Sequence, residues 1–117
     1  MINPENIATK IKDFKFEVDI YMMSIALKNL IDNAIKFSPN KKAMVNASKE
    51  RIEISSLGEP LKNELSYYTE AFCQEEKRSD GFGLGLYIVK TIVNLHGYKL
   101  EYKYEDGKNY FIINMIK

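Results

Sequence analysis

Hydrophobic and polar positions change their period several times along this chain, and each change marks an element. Residues 7–18, "IATKIKDFKFEV", alternate loosely and predict strand. From Ile20 to about Phe37 the period becomes helical, with Leu27, Leu30, Ile31, Ala34 and Ile35 on one stripe. "SPNKK" ends that helix, because Pro39 disfavours helix at Ser38 and Asn40 suits a turn. "AMVNASK" and "RIEIS" then predict a hairpin. Residues 57–80 lose the pattern, apart from a short helix predicted around "ELSYYTEAF". A second helix follows over residues 84–96, with Ile88, Val89, Ile92 and Val93 toward the core and Gly97 as its C-terminal cap. Leu100, Tyr102 and Tyr104 alternate, "EDGK" supplies an Asp-Gly turn, and residues 111–116 return as a buried strand. These elements predict an α+β two-layer sandwich, with helices on one face of a mixed, mostly antiparallel sheet.

Composition narrows the class. At 117 residues the chain, residues 1–117, reads as one domain with room for a genuine core. A hydrophobic fraction of 45%, a charged fraction of 28% and a net charge of +1 signal no bulk attraction to nucleic acid or to an anionic membrane. One cysteine, Cys73, excludes an internal disulfide and fits a reducing compartment. No apolar run is long enough to span a bilayer. The opening "INPENIATK" starts abruptly and reads as the edge of a piece of a longer protein.

Two stretches carry chemistry. In "LKNLIDNAIKFS", Asn29, Asn33 and Lys36 occupy roughly 60° of the helix circumference, nearly opposite the apolar stripe. Spacing alone favours a solvated outer face. Asparagine, however, is a mediocre helix former, and two in register suggest that amide oxygens are wanted. Neutral amide oxygens suit Mg2+ when phosphates already supply negative charge, and Lys36 can meet a phosphate as a point charge. The second stretch, "DGFGLGLYIVK", places Gly81, Gly83 and Gly85 at alternate positions ahead of a helix. The spacing matches neither the Walker loop nor the dinucleotide fingerprint. A glycine-rich helix N-terminus nevertheless offers bare N–H groups to an anion, and the competing reading is a tight loop packed on the sheet.

Together, in this order and about fifty residues apart, the two stretches resemble the N box and the second glycine box of the ATP-binding catalytic domain of bacterial sensor histidine kinases. Between them "YYTEAF" resembles the phenylalanine box. The resemblance implies the Bergerat ATP-binding fold, with ATP held under a mobile lid. It implies that Asn29 and Asn33 bind Mg2+ and phosphates, with Lys36 on a phosphate and Phe37 beside the nucleotide. Gly81, Gly83 and Gly85 would hinge the lid, the amides around Leu84 to Leu86 would face phosphates, and Phe72 would anchor the lid. Arg78 would reach the γ-phosphate, against the plainer reading of Lys77 and Arg78 as a solvated charge run.

The departure lies in "ISSLGEPL". Where the family usually places an aspartate that accepts from the adenine amino group, this chain has Ser56. Gly58 is retained, and Pro60 replaces a later glycine. A serine hydroxyl can accept a hydrogen bond but lacks the charge, so weaker or less adenine-selective binding is expected.

His96, at the helix end, reads as structural, since the family's phospho-acceptor lies on a separate dimerisation helix. Cys73 has no His or Cys neighbour to share a metal with. The tyrosines of "SYYTEAF" and "EYKYED" read as sheet and core aromatics.

The resemblance implies a protein histidine kinase domain that binds Mg-ATP and donates the γ-phosphoryl group to a histidine on a separate dimerisation and phospho-acceptor domain. A response regulator would act downstream. Neither nucleic acid nor membrane is an expected partner of this domain, which would be the cytoplasmic part of a membrane-anchored sensor. Two alternatives stay open: a degenerate nucleotide-binding or protein-interaction module, and a serine kinase of the anti-sigma type.

Overall fold

The computed structural model describes residues 7–11, 19–69 and 85–116, the first of these as backbone only. Five strands and three helices follow in order: β1 (Ile7–Ile11), α1 (Ile20–Phe37), β2 (Ala43–Ala47), β3 (Arg51–Leu57), α2 (Leu65–Thr69), α3 (Gly85–Leu95), β4 (Lys99–Glu105) and β5 (Lys108–Asn114). The strands form one sheet in the order β1-β2-β3-β5-β4. Only the β1–β2 pair is parallel. The mixed, mostly antiparallel α+β sandwich is therefore the observed fold. Where the loose alternation suggested strand over residues 7–18, β1 occupies 7–11 and the remainder lies outside the described residues.

Local chemistry sets the helix ends. Asp19 caps α1 by accepting from the Met22 amide at 3.0 Å, a contact worth about 1 kcal/mol. α3 ends in a Schellman pair, Tyr98 N–H to Val93 O at 3.1 Å and Gly97 N–H to Asn94 O at 2.9 Å, with Gly97 in the left-handed region as predicted. Asp106 and Gly107 both take positive φ, which makes the closing turn the type I′ that an Asp-Gly pair favours.

The core lies between the helices and one face of the sheet. Ile52, Ile54, Phe111 and Ile113 alternate inward from β3 and β5 to meet α1 and α3. The buried face of α1 centres on Met23, Ala26, Leu30 and Ala34, while Leu27, Ile31 and Ile35 are only partly buried. Relative to the predicted stripe, that face is rotated by roughly 60° toward the asparagines. The rotation has a physical cause: α1 packs against α3 as well as against the sheet, so its buried face turns to meet both. On α3 the buried set is Leu86, Val89, Ile92 and Val93, so Leu86 replaces the predicted Ile88, which is exposed. β5 begins at Lys108 and ends at Asn114, earlier at both ends than predicted, and Ile116 is exposed.

Candidate functional site

A cleft of about 580 Å³ opens beside the C-terminal end of α1. One wall is α1 and its exit turn, contributing Asn33, Lys36, Phe37 and Lys41. The opposite wall is Ser56 at the end of β3 with the strap of residues 58–62 that follows it. Ala34, Tyr68 and Phe111, all buried, give the interior an apolar surface. Among the described residues the lining carries three lysines, Lys36, Lys41 and Lys62, against one acidic residue, Glu59. In a chain of net charge +1, that local surplus favours an anionic ligand with an apolar, ring-like end.

The asparagines do not lie on a solvated outer face. Asn29 and Asn33 are half-buried where α1 meets the first residue of α3. A Cβ on Gly85 would stand 3.4 Å from Asn29 Oδ1 and 3.4 Å from Asn33 Nδ2. A side chain at this position would lie in contact with both amides, so the glycine leaves the space beside them open. Asn29 donates its Nδ2 to Ile25 O at 3.0 Å, which leaves its Oδ1 turned to the seam. Asn33 Nδ2 is buried and has no hydrogen-bond partner among the described residues. An unmade bond of this kind costs about 1–3 kcal/mol, an expense more easily understood at a binding site than in a structural core. Lys36, by contrast, is exposed at the cleft mouth, with its ammonium 5.3 Å from the Phe37 ring centroid.

Toward Gly85 the pair presents one amide oxygen, Asn29 Oδ1, which can ligate a cation, and one amide N–H donor, Asn33 Nδ2, which can donate to a phosphate oxygen, so the set fits a divalent cation only in the company of phosphates. Neutral amide oxygens are weak ligands alone but complete an octahedron begun by phosphate oxygens and water. No cluster of three or more His, Cys, Asp or Glu side chains occurs among the described residues to hold a metal without them.

The strap is held by the β4–β5 hairpin. Tyr102 donates its phenol to Asn109 Oδ1, and the Leu61 amide donates to the same phenol at 3.0 Å. Asn109 Nδ2 donates to Glu59 O at 2.8 Å, and Tyr104 donates to Gly58 O at 2.9 Å. Gly58 itself donates to Gly107 O at 3.1 Å. Its φ of +155° and the 3.2 Å that would separate a Cβ from Phe37 O explain why only glycine fits there. Burial pushes the Tyr102 phenol above its ordinary range, partly opposed by the Leu61 amide.

Asn33, Lys36, Phe37, Ser56 and Gly58 therefore line one cleft, with Asn29 and Gly85 directly behind Asn33. The Leu86 side chain belongs to the core, and only its backbone amide, in the first turn of α3, is available to a ligand. Phe72, Arg78, Gly81, Gly83 and Leu84 lie outside the described residues, as does Cys73. Asn109, Lys41, Lys62 and the strap-holding role of Tyr102 and Tyr104 escaped the sequence reading. Counting back from the Asp-Gly turn pairs Asn109 with Tyr104, but its pairing with Ser56 on β3 is non-local. The tyrosines read as sheet and core aromatics divide in that way, Tyr68 buried in the core and Tyr102 and Tyr104 on β4, where their hydroxyls also hold the strap.

His96 holds the two helices together. Its Nε2 accepts from the Asp19 amide at 2.9 Å and its Nδ1 lies 2.8 Å from Ile92 O. The carbonyl can only accept, so the proton sits on Nδ1. Both nitrogens are occupied, in keeping with a structural role.

The chain belongs to the family of histidine kinase-, DNA gyrase B- and HSP90-like ATPases, whose model matches residues 19–116. It is 35% identical over 104 residues to the sensor histidine kinase ArsS of Helicobacter pylori, covering 87% of this chain and 24% of that protein. It is 33% identical over 104 residues to the sensor histidine kinase HprS of Escherichia coli, covering 83% and 23%. The chain thus spans about a quarter of the length of these curated relatives. Full-length ShkA, solved in complex with AMPPNP, shares the fold at a TM-score of 0.73 and 24% identity, over 92% of this chain and 24% of that one.

Proposed function

We propose that this chain is the ATP-binding catalytic domain of a two-component sensor histidine kinase, holding Mg-ATP for transfer to a histidine on a separate dimerisation domain. The observation that carries the reading is the pairing of a lysine-rich, apolar-floored cleft with a buried asparagine amide that has no partner among the described residues. The sensor kinases among its relatives support the same reading. An interaction module would leave the buried, unpartnered Asn33 amide without an explanation.

In this reading the base enters the apolar interior near Ser56, with Phe37 beside the nucleotide, and the phosphates run toward Lys36. Asn29 and Asn33 would hold Mg2+, which when bound neutralises phosphate charge and fixes the phosphate geometry. The N-terminal amides of α3 around Gly85 and Leu86 face the same anion, aided by the helix dipole. Phe72, Arg78, Gly81, Gly83 and Leu84 complete the proposed site as lid residues.

Transfer itself asks for positioning rather than covalent help. An imidazole nitrogen of the acceptor forms a bond to the γ-phosphorus, the bond to the β–γ bridging oxygen breaks, and ADP leaves with the electron pair. No helix of the described residues is long and apolar enough to cross a membrane. A cytoplasmic place within an anchored sensor is part of the proposal and rests on the sensor kinases among the relatives. A response regulator would take the phosphoryl group onward.

The test is reconstitution. Radiolabelled Mg-ATP is incubated with this chain, with the dimerisation segment of the same full-length protein, and with both. Acid-labile, base-stable label on the dimerisation segment, only when both are present, is the expected result. Label on serine, or none despite nucleotide binding, would overturn the kinase assignment.

A further inference from the structure

On the sheet side of the cleft two polar side chains face inward, Ser56 and Asn109, directly opposite each other across β3 and β5. They differ in what they have left to offer. Asn109 is spent at both ends: its Oδ1 accepts from Tyr102 and its Nδ2 donates to Glu59 O at 2.8 Å. The Tyr102 phenol is likewise taken, by Asn109 and by the Leu61 amide. The Gly58 amide is committed to Gly107 O. Ser56, half-buried, keeps a hydroxyl that makes no side-chain hydrogen bond among the described residues.

A base in this part of the cleft is therefore read on the sheet side by one neutral hydroxyl. A hydroxyl both donates and accepts, and it rotates to suit. It can accept from a purine that carries an amino group at position 6. It can equally donate to a purine that carries a carbonyl there. A carboxylate in the same place could only accept, and would repel the carbonyl. The ring nitrogen beside position 6 also exchanges acceptor for donor between the two bases, and water in the open cleft serves either form.

Resting on the nucleotide-site reading above, we infer that Ser56 makes this site tolerant of the purine 6-substituent, so that 6-oxo and 6-amino nucleotides bind with similar affinity. The specificity follows from the asymmetry of the two sheet-side residues: the fixed amide of Asn109 supports the strap, and the rotatable hydroxyl of Ser56 meets the base.

The test compares ADP and IDP, which differ only at position 6 and in the protonation of the ring nitrogen beside it and undergo no turnover, by calorimetric titration with Mg2+. The unmodified chain is expected to bind the two within about fivefold of each other. Ser56→Asp is expected to open a preference for ADP of about tenfold or more, because charge-assisted acceptance rewards the amino group and like polarity rejects the carbonyl. Ser56→Ala is expected to weaken both ligands alike. If ADP binds and IDP is weaker by more than fivefold, the inference fails while the nucleotide site stands. If Ser56→Asp leaves the ratio unchanged, Ser56 is not the reader and the inference fails in the same way. If neither nucleotide binds to the folded chain, the nucleotide-site reading fails and takes the inference with it.

Discussion

The helix wall of the cleft draws Asn33, Lys36 and Phe37 from one turn and a half of α1, whereas the strap wall needs two segments far apart in sequence, β3 with residues 58–62 and the β4–β5 hairpin. The helix wall leaves polar groups unspent. Asn33 Nδ2 has no partner among the described residues, and Asn29 Oδ1 faces the seam beside Gly85. The strap wall spends nearly all of its own, on Tyr102, Asn109, Tyr104 and the backbone they hold. The helix wall is organised to bind and the strap wall, Ser56 apart, to stay in place. The difference teaches where binding and stability separate in this molecule: substitutions in α1 should change affinity more than folding, and substitutions behind the strap should do the reverse.

The largest effect is expected from Gly58→Val. It forces a β-branched residue into a backbone of φ +155° and brings a Cβ to 3.2 Å from Phe37 O. A loss of about 3 kcal/mol in unfolding free energy follows, measurable by urea denaturation. An unchanged midpoint would mean that the strap is not fixed as described. Next is Asn109→Ala, which strands the Tyr102 phenol and Glu59 O and should cost about 1–2 kcal/mol. Hydrogen exchange at the Leu61 amide should accelerate in this variant while amides in the middle of α1 keep their protection. Uniform acceleration would instead show that Asn109 supports the whole fold.

His96→Ala tests the far end of the helix wall. Removing the acceptor of the Asp19 amide should cost about 0.5–1 kcal/mol, less than the strap variants because water can replace it at an exposed end. Nucleotide affinity should hold, and its loss would give His96 a larger role than clasping α1 to α3. The smallest effect is alkaline. The Tyr102 phenol keeps its proton longer in the folded state than its ordinary value of 10.0 allows. Its contribution is fully present below that value and is lost as pH rises through the folded pKa. Tyr102→Phe should flatten that part of the alkaline stability profile, and an unaltered profile would remove the phenol from the account.

The same contrast governs what could be read from the chain. α1, its cap region and its asparagines are local, and helical spacing alone locates Asn29, Asn33 and Lys36. Spacing could not tell that α3 would cover the asparagine flank, because that contact joins residues 29 and 33 to residue 85. The outward face it suggested was correct for Lys36 and mistaken for both asparagines. Leu86 takes the core place expected of Ile88 for the same reason, since α3 meets α1 as well as the sheet. The strap wall was nearly invisible. Ser56 and Gly58 stood out through resemblance to a motif, but Asn109, Tyr102 and Tyr104 join them only through strand register between β3, β5 and β4. Local period finds elements, whereas long-range pairing decides which hydroxyls and amides are left over.

The central claim is that the helix wall binds a magnesium nucleotide through asparagines that folding leaves unspent. The most direct measurement is calorimetric titration of a non-hydrolysable ATP analogue with and without Mg2+, for this chain and for Asn33→Ala. The account predicts binding that Mg2+ strengthens, weakened about tenfold or more in Asn33→Ala, with the unfolding midpoint of the variant unchanged or raised. Binding indifferent to Mg2+ and to Asn33, or a variant that keeps its affinity and loses its fold, would contradict it.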